Sequence, residues 1–336
     1  MNYSESNNRK IGIVAAVVIA IAAMMIPGAS LTSTAFAHKS DSISGSGNVQ
    51  QSISQSNSVS ASNSGTGGSA SADHNTQTNN AANIASVDIH NGGSHDKKSG
   101  HHHKGGSIKG SGNVVQSIDQ SNSISASNSG SFGSASADFN TQANNAANIA
   151  GVDIHNHGGG KIKDSGNVLQ AIGQSNSITA TNTGTGGSAS ADFNTQTNNA
   201  ANIASVDISN HGGYHGGKIK DSGNVAQLIG QDNSITATNS PAPTLLACLV
   251  GESIPPCSSA SADFNTQTNN AANIASVDIH NHGGGTIKDS GNVAQLIAQA
   301  NSINATNTGS FGSASADFNT QSNNATNFAD ISISNH

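Results

Sequence analysis

Four sets of side chains in this 336-residue chain could do chemistry, and three of them recur along a repeating pattern. Histidines form short tracts: His90 and His95, then His101, His102 and His103, His155 with His157, His211 with His215, His280 with His282, and His336. Neutral imidazoles close together bind Zn²⁺, Cu²⁺ or Ni²⁺. The candidate metal ligands are therefore His101, His102, His103, His155, His157, His211, His215, His280 and His282. No Cys or Glu joins them at fixed spacing, and His-rich tracts also suit plain soluble loops. Cys248 and Cys257 are the only cysteines, and they sit in a Pro-containing insertion, 241–258, with Leu245, Leu246, Leu249 and Val250. In a secreted chain such a pair is expected to close one disulfide.

Aspartates recur as Asp138, Asp192, Asp263 and Asp317, and again as Asp153, Asp207 and Asp278. A calcium-binding β-roll needs a Gly-Gly-x-Gly-x-Asp nonapeptide, which is absent, so these read as solvent-facing or turn-capping residues. The fourth set is a row of amides: Gln116 with Asn122, Gln170 with Asn176, Gln227 with Asn233, and Gln295 with Asn301. An amide can donate and accept at once, so amides placed in register can bond to one another. Thr179-Ala-Thr181 and Thr236-Ala-Thr238 begin a Thr-x-Thr array, but Ser or Asn breaks it in the other copies. Asn304 and Asn324 open glycosylation sequons. There is no nucleophile elbow, no phosphate-cradling motif ahead of a helix, and one Glu after residue 37. No enzymatic activity and no resident cofactor are expected.

The N-terminus carries an address. Arg9 and Lys10 precede an apolar run from Ile11 to Ile26, and Ala35-Phe36-Ala37 ends the segment. That is the layout of a secretory signal peptide, 1–37, cut before His38. The apolar run is short for a membrane span of about 20 residues, and the remaining chain, 38–336, has no second one. Secretion to the cell surface or beyond is expected, with no membrane span in the mature chain. From His38 onward there are ten Lys and no Arg, against seventeen Asp and one Glu. With no basic stripe and no Trp, the chain is not expected to bind nucleic acid.

Large apolar residues are few, and their placement decides how they are used. Ser-Gly-Asn-Val occurs five times, with its Asn at Asn48, Asn113, Asn167, Asn224 and Asn292. Asp-(Phe/His)-Asn-Thr-Gln alternates with it, its first Asn at Asn75, Asn140, Asn194, Asn265 and Asn319. The unit is 54 residues in two similar halves of about 27. Repeats begin near 46, 111, 165, 222 and 290, with a His/Gly-rich linker at 91–107 and the insertion at 241–258. Within a half, Val168, Gln170, Ile172, Gln174, Asn176, Ile178, Ala180 and Asn182 occupy alternate positions. Strict alternation puts them on one face of an extended chain. A disordered Asn/Gln-rich tract would have no need to hold that alternation through five copies.

The expected fold is an all-β solenoid of five ~54-residue repeats, each two ~27-residue coils. Ten coils stacked at about 4.8 Å would form a rod of about 45–50 Å. Amide ladders would then satisfy polar groups that are costly to bury alone. The Gln and Asn rows with interleaved Ile and Ala resemble the curlin repeats of bacterial surface amyloid fibres, in style over residues 46–336. The curlin spacing, Gln-x-Gly-x-x-Asn with a period near 22, differs from Gln170-Ala-Ile-Gly-Gln-Ser-Asn176 here. The resemblance implies a self-assembling cell-surface fibre and assigns no individual residue. The partner is then the chain itself, stacked end to end, or other surface components. A metal-binding protein using the His loops, and an adhesin or surface-layer component, are the other functions this pattern allows.

Overall fold

The computed structural model describes residues 29–38, 42–92, 106–157, 159–184, 186–211, 217–240, 258–308 and 312–336; for 29–38 it describes the backbone. Cys248, Cys257, His95, His101, His102, His103 and His215 lie outside the described residues. Strand β1 (Ala29–His38) precedes the repeats. Each repeat then runs short strand, long strand, short strand, long strand. These are β2 (Ile43–Ser44), β3 (Val49–Asn63), β4 (Ala70–Ser71) and β5 (Thr76–Gly92) in the first. The second has β6 (Ile108–Lys109), β7 (Val114–Asn128), β8 (Ala135–Ser136) and β9 (Thr141–Asn156). The third has β10 (Lys161–Lys163), β11 (Val168–Asn182), β12 (Ser188–Ser190) and β13 (Thr195–His211). The fourth has β14 (Lys218–Lys220), β15 (Val225–Asn239), β16 (Ser259–Ser261) and β17 (Thr266–His282), and the fifth β18 (Thr286–Lys288), β19 (Val293–Asn307), β20 (Ser313–Ser315) and β21 (Thr320–Asn335).

Every strand pairs in parallel with its counterpart in the neighbouring repeat, producing four sheets: β3-β7-β11-β15-β19, β1-β5-β9-β13-β17-β21, and two narrow ones at the corners. The chain is an all-β solenoid of five repeats. The coil, however, is the whole 54-residue repeat. The two halves do not stack on each other as separate 27-residue coils; they form opposite walls, with β11 pairing with β7 and β15 and β13 with β9 and β17. The ten-coil rod is thus corrected to five rungs, roughly 20–25 Å at about 4.8 Å per rung. Two walls facing each other bury both inward rows, whereas a 27-residue coil would be too narrow to enclose them.

The inward rows alternate apolar and amide columns. One apolar cluster joins Val114, Val152, Ile154 and Ile162 with their counterparts, a second joins Ile124, Ala126 and Ala135, and a third joins Ile118 with Ala146. Their columns are fully buried mid-stack: Ile154, Ile208 and Ile279 are each 0% exposed. The glycine of Ser-Gly-Asn-Val turns the corner. At Gly166, φ is +68°, and a Cβ would lie 3.1 Å from Ile154 Cδ1 and 3.2 Å from Ile208 Cδ1. Only glycine meets both demands at low cost. At the other corner Phe139, Phe193, Phe264 and Phe318 adopt φ of 55–56° despite their side chains. Stacking of each ring on the next, at 4.9 Å, offsets that conformational cost.

The ends differ. β1 lies along Asn83–Gly92 of β5, and no other described strand lies along the first rung's outer edge. At the other end β18 to β21 pair with the fourth rung only, and no described strand lies on their far side. Ile333 continues the Ile279 column but is 48% exposed, and Ile331 continues the Val277 column at 46%.

Candidate functional site: the rung ends and the histidine edge

The amide columns set the chemistry of the rung faces. Gln170 Nε2 donates to Gln116 Oε1 at 2.9 Å and to the Ile203 carbonyl of the opposite wall at 2.9 Å. Gln227 and Gln295 repeat this toward Gln170 and Gln227. Asn122 donates to Asn176 Oδ1 at 3.1 Å and Asn176 to Asn233 Oδ1 at 3.0 Å, and Asn233 continues to Asn301. The opposite wall carries its own Asn column, and Asn144 and Asn176 are joined across the core at 3.0 Å. In the Gln170 and Asn176 columns each NH2 therefore reaches both the neighbouring rung and the facing wall, which removes the penalty of burying these amides.

The columns have direction. Asn side chains inside the core donate toward the C-terminal rung, as in Asn83 to Asn148, Asn148 to Asn202, Asn202 to Asn273 and Asn273 to Asn327. Gln side chains donate toward the N-terminal rung, as in Gln142 to Gln77 and Gln321 to Gln267, and so do the Asn199 column outside the wall and the Asn167 column at the corner. At the last rung the core Asn columns end on amino groups, such as that of Asn327, and the Gln columns on the carbonyl oxygens of Gln295, Gln299 and Gln321. At the first rung the Asn83 column begins on an acceptor: Asn83 Oδ1 is buried without a hydrogen-bond partner. The two ends are complementary in hydrogen bonding.

Asp138 and its counterparts clamp rungs at the Phe corner. Asp138 Oδ1 accepts the Asp192 backbone N–H at 2.7 Å and the Ser190 hydroxyl at 2.8 Å, and Asp192 does the same for Asp263 and Ser261. Burial pushes the Asp138 carboxyl above its ordinary value, helped by the neighbouring Asp192 charge and opposed by these bonds. Burial also acts to raise Asp73, but bonds from Asp138 N–H, Ser136 and Ser71, with His74 nearby, bring it below its ordinary value.

On the outer face of the second wall the histidines stand in two columns. His90 and His155 stack at 5.0 Å, and Ser209 and then His280 follow in the same column. His157 and His211 stack at 5.1 Å, His211 and His282 at 4.7 Å, and His282 and His336 at 5.9 Å. An aspartate column runs beside them: His90, His155 and His280 Nε2 lie 2.7, 2.7 and 2.9 Å from Asp88, Asp153 and Asp278 Oδ1. Asp207 is the exception, because Ser209 stands in the place that His155 and His280 take in the neighbouring rungs. Burial raises the Asp207 carboxyl, and the Asp153 and Asp278 carboxylates raise it further against the pull of His155 and His280. Burial lowers the His211 imidazole, and repulsion from His282 and His157 lowers it further. Of the candidate metal ligands, His155, His157, His211, His280 and His282 are thus brought to one edge. Among the described residues no group of three or more His, Cys, Asp or Glu is placed to hold one metal ion.

Comparison with protein-family models, curated proteins and solved structures finds no match. No helix among the described residues is long and apolar enough to cross a membrane. A shallow groove open to solvent lies on the outer face of the first wall, where Gly173, Gly230 and Ala298 leave space beside Asp119 and Asp232. The aspartate clamp, the stacked Phe corner and the second-wall ladders went unassigned at the level of sequence. Their fixed offsets from the Asp-(Phe/His)-Asn-Thr-Gln motif were the available signal.

Proposed function

We propose that this chain is a secreted structural protein that stacks end to end into a cell-surface or extracellular-matrix fibre. The observation that carries the reading is the open fifth rung. Its core columns stop half-exposed at Ile331 and Ile333, and its amide columns stop on groups that the first rung's columns match. Covering a half-exposed Ile contributes on the order of 1 kcal/mol, each completed backbone bond adds to that, and an open edge strand templates another chain. The function is assembly rather than chemistry, and the partner is a second copy. Negative-stain microscopy and light scattering on the protein purified from His38 onward test it. Filaments that lengthen with concentration are expected; monodisperse short particles at high concentration overturn it. The His edge supports a second reading, metal binding, and equilibrium dialysis with Zn²⁺, Cu²⁺ and Ni²⁺ decides it. Micromolar binding lost on replacing His155, His157, His280 and His282 would favour that reading.

A further inference from the structure

β1 is not a repeat strand, yet it takes the seat a repeat strand would take. Ala29 pairs with Asn83 and His38 with Gly92, ten residues in parallel register. In the stack that position belongs to the preceding rung's long strand, as Asn83–Asn91 is to Asn148–Asn156. The equivalent segment of a second copy is Asn327–Asn335 of β21, the one left open at the far end. Two details show that β1 fills the seat incompletely. Ile89, beneath it, is 0% exposed, whereas Ile333 in the same column at the uncovered end is 48% exposed, so the apolar column is closed. The amide column is not: Asn83 Oδ1 stays buried without a donor, because Ala29 stands where every other rung supplies Asn.

We propose that residues 29–38 are a stopper for the N-terminal growth end. While they remain attached, they occupy the seat of a second copy's β21; once they are lost, that copy docks and its Asn327 amino group reaches Asn83 Oδ1, as Asn83 reaches Asn148 at 3.0 Å. This deepens the fibre reading and rests on it. The Ala37–His38 bond, the expected leader cleavage site, lies inside β1 opposite Asn91 and Gly92. Docking and processing therefore compete for the same residues. A processed copy is open at both ends, and an unprocessed copy, with its leader still attached, can only begin a fibre.

The test uses the full chain with a protease recognition sequence replacing residues 39–41, folded first and then cut or left intact. An Ala35→Pro variant breaks β1 without a cut. Elongation from sonicated seeds and amide exchange of residues 84–91 are followed together. The stopper predicts protected amides in the intact chain, and exchange about tenfold faster in the cut and A35P chains. It also predicts elongation at the N-terminal end in those two chains alone. Equal elongation of intact and cut chains overturns the stopper and leaves the fibre standing. Protection that changes on cutting, with no elongation in any chain, overturns the fibre reading and the stopper with it. Equal exchange in all three chains means β1 does not occupy the seat, and the inference falls.

Discussion

At the scale of single residues, the ladders turn a costly side chain into a structural one, and position along the stack sets its worth. Gln170→Leu strips Gln227 of its acceptor and leaves Gln116 Oε1 without a donor. At about 1–3 kcal/mol per orphaned buried group, the expected loss is roughly 2–5 kcal/mol in urea unfolding. Gln295→Leu, at the last rung, orphans only Gln227 Oε1, and should cost less than half as much. Asp207 is the converse case, a half-buried carboxylate between two like charges with no histidine of its own. Its pKa is raised in the fold, so the folded state holds this proton more tightly than the unfolded chain. Asp207 therefore favours folding at pH values below the carboxylate range and disfavours it as pH rises through the raised value. Asp207→Asn is expected to raise Tm by a few degrees at pH 7, with the gain fading in a scan toward pH 3. His211 has the opposite sign: its pKa is lowered, so stability is lost as pH falls from about 6.5 through the folded value. His211→Asn should flatten that limb of the Tm–pH curve.

At the scale of elements, strand and corner are set by different residues. Alternation builds the walls, and Gly112, Gly166, Gly223 and Gly291, all near φ +70°, turn the chain between them. Gly166→Ala imposes a left-handed conformation costing about 1–2 kcal/mol and drives a methyl against two isoleucines. A Tm drop larger than that of Gly230→Ala, which meets open space on a wall's outer face, checks it. The alternation was legible from Val168 to Asn182 residue by residue, and Ile118, Ile172, Ile229 and Ile297 share one column as their repeat positions imply, but they pair directly, with no second-half coil interleaved between them. The closing of the coil was not. Both halves carry Gln and Asn at similar intervals, so Gln170 can be laid over Gln196 as if one sat above the other. Period-two patterning tells which face a residue is on and says nothing of whether its partner is a neighbour or an opposite wall. The bond from Asn176 to Asn198 across the core resolves that. β1 was hidden for another reason: its residues read as the end of a leader and so outside the fold. The histidine columns were visible as tracts, but their stacking and the aspartate column beside them needed the register.

At the scale of the whole molecule, the unlike ends would make the proposed growth polar. Ile331→Lys with Ile333→Lys places charge on the open rung, where both side chains are already half-exposed. Monomer Tm should change little while seeded elongation at that end stops; Ile208→Lys, in the buried middle of the same column, should unfold the chain. The stack also tolerates unequal chain lengths between rungs. Thr76 pairs with Thr141, 65 residues on, Thr141 with Thr195, 54 on, and Thr195 with Thr266, 71 on, yet each ladder keeps its register. The extra residues fall in sequence between one strand and the next, where a longer connection adds only a slowly growing closure entropy. Foreign peptides spliced at 93–105 or 241–257 would therefore be carried outside the walls without disturbing them, and a filament of such copies would present them as a regularly spaced, densely packed row.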